Sequence, residues 1–296
     1  MSSAPPPKIR VLVSATTDPF FNLATEEYLF RSGDVSVNTL FLWRNEPTVV
    51  IGRCQNPWKE CNMQAMDDKG VHLARRFSGG GAVYQDLGNT NFTFLSSMEN
   101  YNKERNSGII MKGLEKFGVK ANTSGRNDIE VDGQKVSGAA YRLAPPRALH
   151  HGTLLINVEM TALAGLLNPN KLKLKSKGIS SVTARVSNLQ SLNPAISHES
   201  LSSAVVDAFC AHYASPRLEP EMLDASALQQ EGKLAAVYAE IKDKMWRFGE
   251  TPEFTHHIEG RFESPLPWGS IDVHIQSQKG EIVEAKVSAQ THRLTA

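Results

Sequence analysis

Residues 75–89 read Arg-Arg-Phe-Ser-Gly-Gly-Gly-Ala-Val-Tyr-Gln-Asp-Leu-Gly-Asn. Three consecutive glycines, Gly79, Gly80 and Gly81, let a backbone approach a ligand closely and aim several N–H groups at it. Arg75 and Arg76 just before them supply permanent charge and bidentate donors for a carboxylate or phosphate, and Ser78 adds a hydroxyl. The runs at 71–75 and 82–85 read as strands, so the glycines fall in a turn between them. No Lys-Ser/Thr follows at Walker A spacing, and no G-x-G-x-x-G is present. Ser78 also lacks the glycine two residues upstream that a nucleophile elbow needs. Composition alone weighs a plain glycine-rich turn and an anion cradle evenly.

Upstream, Asp18-Pro19 is a helix start, a capping side chain followed by the residue tolerated at the first helical position. Phe20, Leu23, Ala24 and Tyr28 recur on one face, with Glu26, Glu27 and Arg31 on the other, and Gly33 closes the helix. Strands are expected at 10–13, 39–43, 48–52 and 90–96, and a helix at 102–117. Downstream, 127–131 and 134–138 flank Asp132-Gly133, a hairpin signal because a type I′ turn needs positive φ at both central residues. A strand is expected at 151–157, and helices at 159–167, 198–213 and 221–246. The pattern is α+β: a mixed, largely antiparallel sheet with packed helices, over residues 1–247. From 248 to 296 the texture changes to Pro/Gly-marked loops and two short strands at 270–276 and 281–287. This reads as a small second domain, of a size that seldom folds alone.

Three further segments carry chemistry. In 124–140, Lys135 follows the hairpin turn; strand alternation puts Lys135, Ser137 and Ala139 on one face, and small neighbours such as Gly138 leave room for a ligand beside the ammonium. A lysine so placed can neutralise a carboxylate and a phosphate as they meet, although a lysine near a turn is most often plain surface. His150-His151 before a strand suits support of a site better than metal binding. The run Lys171, Lys173, Lys175, Lys177 is either a solvated face or, with Gly178, Ile179 and Ser180, a lid that closes on a nucleotide.

The 32 basic and 31 acidic side chains leave a net charge of +1, which argues against a general polyanion or nucleic-acid binder. Cys54, Cys61 and Cys210 form neither a disulfide framework nor a zinc spacing. No apolar run approaches the ~18 residues of a membrane span, and residues 1–10 show neither a secretory signal nor an Arg-rich amphipathic presequence.

Taken in order, Arg-Arg-Phe-Ser-Gly-Gly-Gly-Ala-Val-Tyr-Gln-Asp-Leu-Gly-Asn, Gly-Arg-Asn-Asp-Ile, Lys-Val-Ser-Gly-Ala-Ala-Tyr-Arg, His-His-Gly-Thr-Leu-Leu and Lys-Gly-Ile-Ser-Ser-Val resemble the lipoate–protein ligase A family. So do Asn-Leu-Ala-Thr-Glu-Glu-Tyr-Leu at 22–29 and Trp-Arg-Phe-Gly-Glu-Thr-Pro-Glu-Phe at 246–254. The resemblance implies a biotin/lipoate ligase-like catalytic domain followed by an accessory domain. It implies that lipoate and ATP, with Mg²⁺, form lipoyl-AMP. The acyl group then passes to a lysine of an apo lipoyl domain, such as a 2-oxoacid dehydrogenase E2 subunit or the glycine-cleavage H protein. No tightly bound cofactor is implied. The matching positions make Lys135 the catalytic contact to both the lipoyl carbonyl and the phosphate. Lipoate contacts fall on Arg76, Ser78, Gly79, Gly80, Gly81, Ser137, Gly138 and His151. Nucleotide contacts fall on Arg76, Phe77, Gly81, Ala82, Val83, Tyr84, Gln85, Asn127, Asp128, Lys177, Gly178, Ile179 and Ser180, with Asp128 the candidate Mg²⁺ ligand. A bacterial owner implies the cytoplasm and a eukaryotic one mitochondria; no membrane role is implied.

Two departures stand out. Phe77 occupies a position where many members carry a third basic residue. The chain also stops soon after two accessory strands, so the second domain reads as incomplete. The rival readings are a lipoyltransferase that uses preformed lipoyl-AMP and a non-catalytic binder of lipoate or lipoyl domains. A cysteine-dependent acyl transferase is disfavoured, since no cysteine lies between Cys61 and Cys210.

Overall fold

The computed structural model describes residues 7–125, 127–167, 174–176, 185–261 and 269–291. Strand β1 (Lys8–Ser14), helix α1 (Pro19–Ser32), β2 (Val37–Trp43), β3 (Thr48–Ile51), α2 (Pro57–Glu60), α3 (Met63–Asp68), β4 (His72–Arg75), β5 (Val83–Gln85) and β6 (Asn89–Ser97) open the chain. Then come α4 (Lys103–Glu115), β7 (Asn122–Ser124), β8 (Asp128–Val131), β9 (Gln134–Ala144), β10 (Arg147–Leu155), α5 (Met160–Leu166) and β11 (Leu174–Ser176). The last elements are α6 (His198–His212), β12 (Glu221–Leu223), α7 (Ala227–Gln230), α8 (Gly232–Lys242), β13 (Phe254–Arg261), β14 (Gly269–Gln278) and β15 (Glu281–Thr291).

The main sheet runs β12-β1-β2-β6-β10-β9-β8-β7. Strand β1 is parallel to both its neighbours and every other pairing is antiparallel, so the sheet is mixed and largely antiparallel. Its central strands are covered on both faces, which is why β2 reads as an almost unbroken apolar run. Leu40 and Leu42 face the core shared with Ile110 and Leu114 of α4 and Val205 and Phe209 of α6. Phe41 and Trp43 face the opposite core, with Phe21, Leu23 and Phe30 of α1 and Leu234 and Ile241 of α8. A smaller sheet, β4-β3-β5, packs Val49, Ile51 and Tyr84 against Met66 of α3 and Leu166 of α5.

Helix α1 starts as its sequence dictates, with the Asp18 carboxylate accepting from the Phe20 N–H at 2.8 Å and Pro19 at the first turn. Its closing glycine acts differently from a left-handed cap. Gly33 has φ −64°, and it is required for space, since a Cβ there would lie 2.5 Å from the Leu29 carbonyl oxygen. The outer face assigned to Glu26 and Glu27 is also corrected. Both are buried, because α1 is enclosed between the main sheet and α8 and has no broad water-facing side.

The β8–β9 hairpin forms as read, with Asp132 at φ 51° and Gly133 at φ 73°. Strand β9 extends well past the expected 138. The helix expected over 221–246 is instead β12, two helices and a wider turn at Met245–Gly249. The Asp224 carboxylate turns the chain after β12 by accepting from the Ser226 N–H at 2.8 Å. Beyond that turn the four-stranded sheet runs β11-β13-β14-β15. It contains one more strand from this region than the sequence indicated, plus β11, contributed from the middle of the chain.

Candidate functional site

The glycine segment links β4 to β5, held from beneath by its two arginines. Arg75 is fully buried. Its guanidinium donates to the carbonyls of Arg53 and Gln55 at 2.8 Å and of Arg247 at 2.9 Å, and to Thr251 Oγ1 at 2.8 Å. Trp246 returns an indole N–H to the Arg75 carbonyl at 2.7 Å. Arg75 therefore ties the base of the loop to residues 52–55 and to the segment leading out to β13. Arg76 is also buried, and its guanidinium donates to the carbonyls of Val50 at 3.0 Å, Gly79 at 2.7 Å and Gly81 at 2.7 Å. Burial pushes both guanidinium groups down to about 10, which leaves them charged at neutral pH. The sequence offered these arginines to a ligand; the structure aims the donors of Arg75 at Arg53, Gln55, Arg247 and Thr251, and those of Arg76 mainly at the loop's own carbonyls. With its carbonyls drawn inward, the loop is folded so that Gly79 and Gly80 are exposed and Gly80 adopts φ 91°.

Ser78 lies under the loop in a buried hydrogen-bonded line. Its Oγ accepts from Arg76 Nε at 3.0 Å and lies 2.7 Å from His151 Nε2. His151 Nδ1 is 2.7 Å from Glu26 Oε2, and the same carboxylate oxygen accepts from Thr93 Oγ1 at 2.6 Å, which accepts from the Trp43 indole at 3.1 Å. A carboxylate only accepts, so Nδ1 carries a proton and donates it to Glu26. This is the order of groups in a nucleophile triad, but Ser78 is only 3% exposed. The line supports the loop, as the sequence reading of His151 anticipated. Glu26 and Thr93 were missed. Glu26 was legible only as one of two adjacent acids on a helix taken to have a wet face.

Lys135 lies at the start of β9. Its Nζ is 2.8 Å from Asp128 Oδ1 on β8, and a Cβ at Gly138 would lie 2.8 Å from that same ammonium nitrogen. Gly138 is thus the space the lysine occupies. The register slips between Ile129↔Ser137 and Glu130↔Lys135, a bulge that reverses the alternation. The face expected for Lys135, Ser137 and Ala139 is therefore corrected: Lys135 shares its face with Gly138, and alternation adds Ala140 and Arg142. Ser137 points the other way, in line with Tyr141, whose ring lies 4.5 Å from the buried His150 ring. Ser137 is 1% exposed and stands behind the strand from Lys135. A Cβ at Gly80 would come within 3.6 Å of the Ala140 Cβ, so the glycine loop rests over the floor that begins at Lys135. Gly138 to Ala140 is about 7 Å along a strand. The backbone beyond the basic run also meets this point, since the Lys135 N–H donates to the Arg185 carbonyl at 2.8 Å.

At the far end of the same face Arg142 pairs with Glu27 and lies over the rings of Phe30 and Phe77, at 4.3 and 5.4 Å. Arg142 was not singled out from the sequence, where its signal was its place in the Lys-Val-Ser-Gly-Ala-Ala-Tyr-Arg run. Burial holds the Glu27 carboxyl above its ordinary range against the pull of Arg142 and Arg31. Phe77 stacks on Trp246 with ring centres 4.0 Å apart. Beyond the loop, Ala82 is buried and Val83 half-buried. Tyr84 is buried beside Asp86, its hydroxyl pushed up to about 12 by burial first. Gln85 accepts from Asn45 Nδ2 at 2.8 Å and donates to Asn91 Oδ1 at 2.9 Å. The side chains of Tyr84 and Gln85 thus point inward.

Asn127 is exposed at the mouth, and its carbonyl accepts from the Ala139 N–H at 3.0 Å. Lys177, Gly178, Ile179 and Ser180 lie outside the described residues. Among the described residues no cluster of three or more His, Cys, Asp or Glu side chains is placed to hold a metal ion. A single carboxylate at Asp128 suits a Mg²⁺ ion that arrives with substrate phosphates and keeps its waters. No helix of the described residues is long and apolar enough to cross a membrane. The arrangement has the chemistry to receive an anion: exposed loop glycines, a small-residue floor, an ammonium at one end paired with Asp128 and a guanidinium at the other paired with Glu27.

Residues 18–210 match the model of the lipoyl protein ligase A/B catalytic domain. The chain is 49% identical over 284 residues to a lipoate-protein ligase A of Psychrobacter cryohalolentis, covering 95% of this chain and 83% of that one. Among solved structures, Plasmodium falciparum LipL1 in complex with lipoate is similar at TM-score 0.75 and 34% identity, over 95% of this chain and 84% of that one. A lipoate-protein ligase A bound with ATP shares the fold at TM-score 0.65 and 22% identity, over 81% of this chain and 96% of that one.

Proposed function

The chain belongs to the lipoate–protein ligase A family, and we propose that the anion site over β9 is where it joins lipoate to AMP and passes the lipoyl group to a protein lysine. It is an ATP-dependent ligase. In the first half-reaction a lipoate carboxylate oxygen bonds the α-phosphorus of ATP and pyrophosphate leaves. In the second, the amine of the acceptor lysine bonds the carbonyl carbon and AMP leaves. Neither step needs a side-chain nucleophile, since the adenylate is itself the activated acyl group, and the buried Ser78 is consistent with that.

The observation that carries this reading is Lys135, its ammonium lodged over Gly138 and 2.8 Å from Asp128. Two anions must be brought together, and a fixed cation offsets their repulsion best where charge accumulates. Lys135 sits between carboxylate and phosphate in this assignment. Backbone N–H groups of Gly79, Gly80 and Gly81 bind the anionic centre, held in shape by Arg76, Ser78 and His151. The nucleotide meets Phe77 and the backbone of Ala82, Val83, Tyr84 and Gln85. Asn127 and Asp128 border the phosphates, and Asp128 is the group that would hold Mg²⁺, whose chemistry is to neutralise phosphate charge. Arg142 joins Lys135 as the second fixed cation on the face. The acceptors are apo lipoyl domains of the E2 and H-protein kind.

The test is the intact mass of a purified apo lipoyl domain after incubation with this protein. One reaction contains lipoate, ATP and Mg²⁺, and the other presynthesised lipoyl-AMP. A lipoyl mass gain in both is the expected result. A gain with the adenylate alone restricts the activity to transfer. No gain in either, with a domain that a known ligase modifies, removes the catalytic reading in favour of a binding module.

A further inference from the structure

Strand β15 ends the four-stranded sheet, and among the described residues no strand lies along its outer edge. Residues 281–288 are all exposed, and the apolar members are strongly so: Ile282 64%, Val283 56% and Val287 68%. Ala285 and Val287 share one face by alternation, and a register shift between Gln276↔Glu284 and Ser277↔Ile282 makes Val283 the extra residue of a bulge and puts Ile282 on that face too. They continue a stripe on β14, since Val287 pairs with Val273 and Ala285 with Ile275. The other face carries Glu284 and Lys286, which bridge each other along the strand at 2.8 Å. An open edge of this length is a template for another strand.

We propose that the edge of β15 pairs antiparallel with the same edge of a second copy of this chain, centred on Ala285. The charge pattern selects both the partner and the register. Around a two-fold axis at Ala285, Glu284 faces Lys286 of the other copy, twice. Val287 faces the bulged stretch at Ile282 and Val283 of the other copy, also twice. Moving the centre to Glu284 sets glutamate against glutamate, and moving it to Lys286 sets lysine against lysine. Half-step registers place each charge beside an alanine or valine. Opposed like charges are destabilising and opposed unlike charges are stabilising, so of these registers only the one centred on Ala285 sets unlike charges against each other. The two sheets then join into one continuous sheet with the apolar stripes side by side.

The experiment is sedimentation equilibrium of the full chain, of Lys286→Glu and of the exchange Glu284→Lys with Lys286→Glu. Wild type is expected to dimerise at concentrations up to about 100 µM, and Lys286→Glu to weaken association by about tenfold or more through two like-charged pairs. The double exchange restores opposite charges in the same register and should return the dissociation constant to the wild-type range. Far-UV circular dichroism checks that these exposed positions leave the fold intact. A monomer throughout this range overturns the proposal. So does a dimer indifferent to Lys286→Glu, or one that the double exchange fails to restore.

Discussion

His151 and Glu26 meet in the interior, Nδ1 to Oε2 at 2.7 Å, and through them a helix on one side of the main sheet holds the underside of the glycine loop. Glu26 comes from α1, His151 from β10, and the Ser78 hydroxyl completes the line at 2.7 Å. Replacing Glu26 with alanine strips His151 Nδ1 and Thr93 of their shared acceptor. Two buried donors left in this way cost about 1–3 kcal/mol each. The expected outcome is a clearly lower denaturant midpoint for Glu26→Ala and a raised half-saturation for lipoate, because Ser78 and the loop lose their support. Equal midpoints for variant and wild type would remove the supporting role.

Lys135→Ala is expected to abolish adenylate formation, read as pyrophosphate release, with the melting temperature nearly unchanged, since its side chain is 26% exposed and its ion pair half-wet. Gly138→Ala is the sharper test. A Cβ there would occupy space 2.8 Å from the ammonium nitrogen, so the lysine must swing away while remaining present and charged. A loss of pyrophosphate release of about 100-fold or more is expected if the position of that charge matters. Wild-type turnover in Gly138→Ala would show that the lysine works from elsewhere.

The glycine loop and the lysine strand were legible in the sequence because their signals are local. Positive φ at Asp132 and Gly133 follows from two residue types, and the strands on either side of residues 79–81 follow from their apolar alternation. The bulge that turns Lys135 towards Gly138 and Ser137 away has no such signal, since Lys-Val-Ser-Gly reads equally well in either register and pairing with β8 decides it. Glu26 and Glu27 were misplaced for a related reason. A helix buried on both sides hides its polar residues among partners from β6, β9 and β10, far away in sequence. Arg76 was readable as a cation but not as one whose donors are taken by its own loop.

Arg76→Lys is expected to behave almost as badly as Arg76→Ala. The guanidinium reaches the carbonyls of Val50, Gly79 and Gly81 in different directions, and an ammonium on a single stem cannot reproduce that fork. Losing charge-assisted bonds to buried carbonyls should lower stability by roughly 2–4 kcal/mol. Half-saturation should rise for both lipoate and ATP, because the loop serves both. A variant with full stability that loses affinity for only one substrate would instead mark Arg76 as a direct contact to that substrate.

His150 gives the fold a predictable sensitivity to acid. Burial among Phe92, Phe94 and Tyr141 pushes its imidazole from 6.5 down to about 3. Below pH 6.5 the unfolded chain takes up a proton that the folded one refuses. The stabilisation is therefore complete above pH 6.5 and declines as the pH falls towards 3. Between pH 7 and pH 5 this group alone should remove about 2 kcal/mol. His198, lowered to about 4 mainly by burial, acts in the same direction. Urea midpoints measured from pH 7 to pH 5 should fall less steeply for His150→Leu than for wild type, and parallel curves would show that His150 takes up its proton in the folded state too.

The family resemblance leads one to expect a basic residue where Phe77 stands, and the surroundings show what an aromatic ring does there. Its ring is stacked on Trp246 at 4.0 Å, with Arg31 over Phe77 at 4.7 Å and Arg53 over Trp246 at 4.4 Å. The two rings thus lie between two guanidinium groups. The same tryptophan donates to the Arg75 carbonyl, so the stack binds the base of the glycine loop to the turn before β13. Phe77→Arg would set a fourth positive charge beside Arg31, Arg53 and Arg142 and remove the stacking, each cation–π contact being worth about 0.5–2 kcal/mol. Introducing that charge should therefore lower stability by about 1–3 kcal/mol and raise half-saturation for ATP. Phe77→Tyr should change neither. Tighter ATP binding in Phe77→Arg at undiminished stability would mean that the position contacts phosphate directly and that the stack is incidental to the loop.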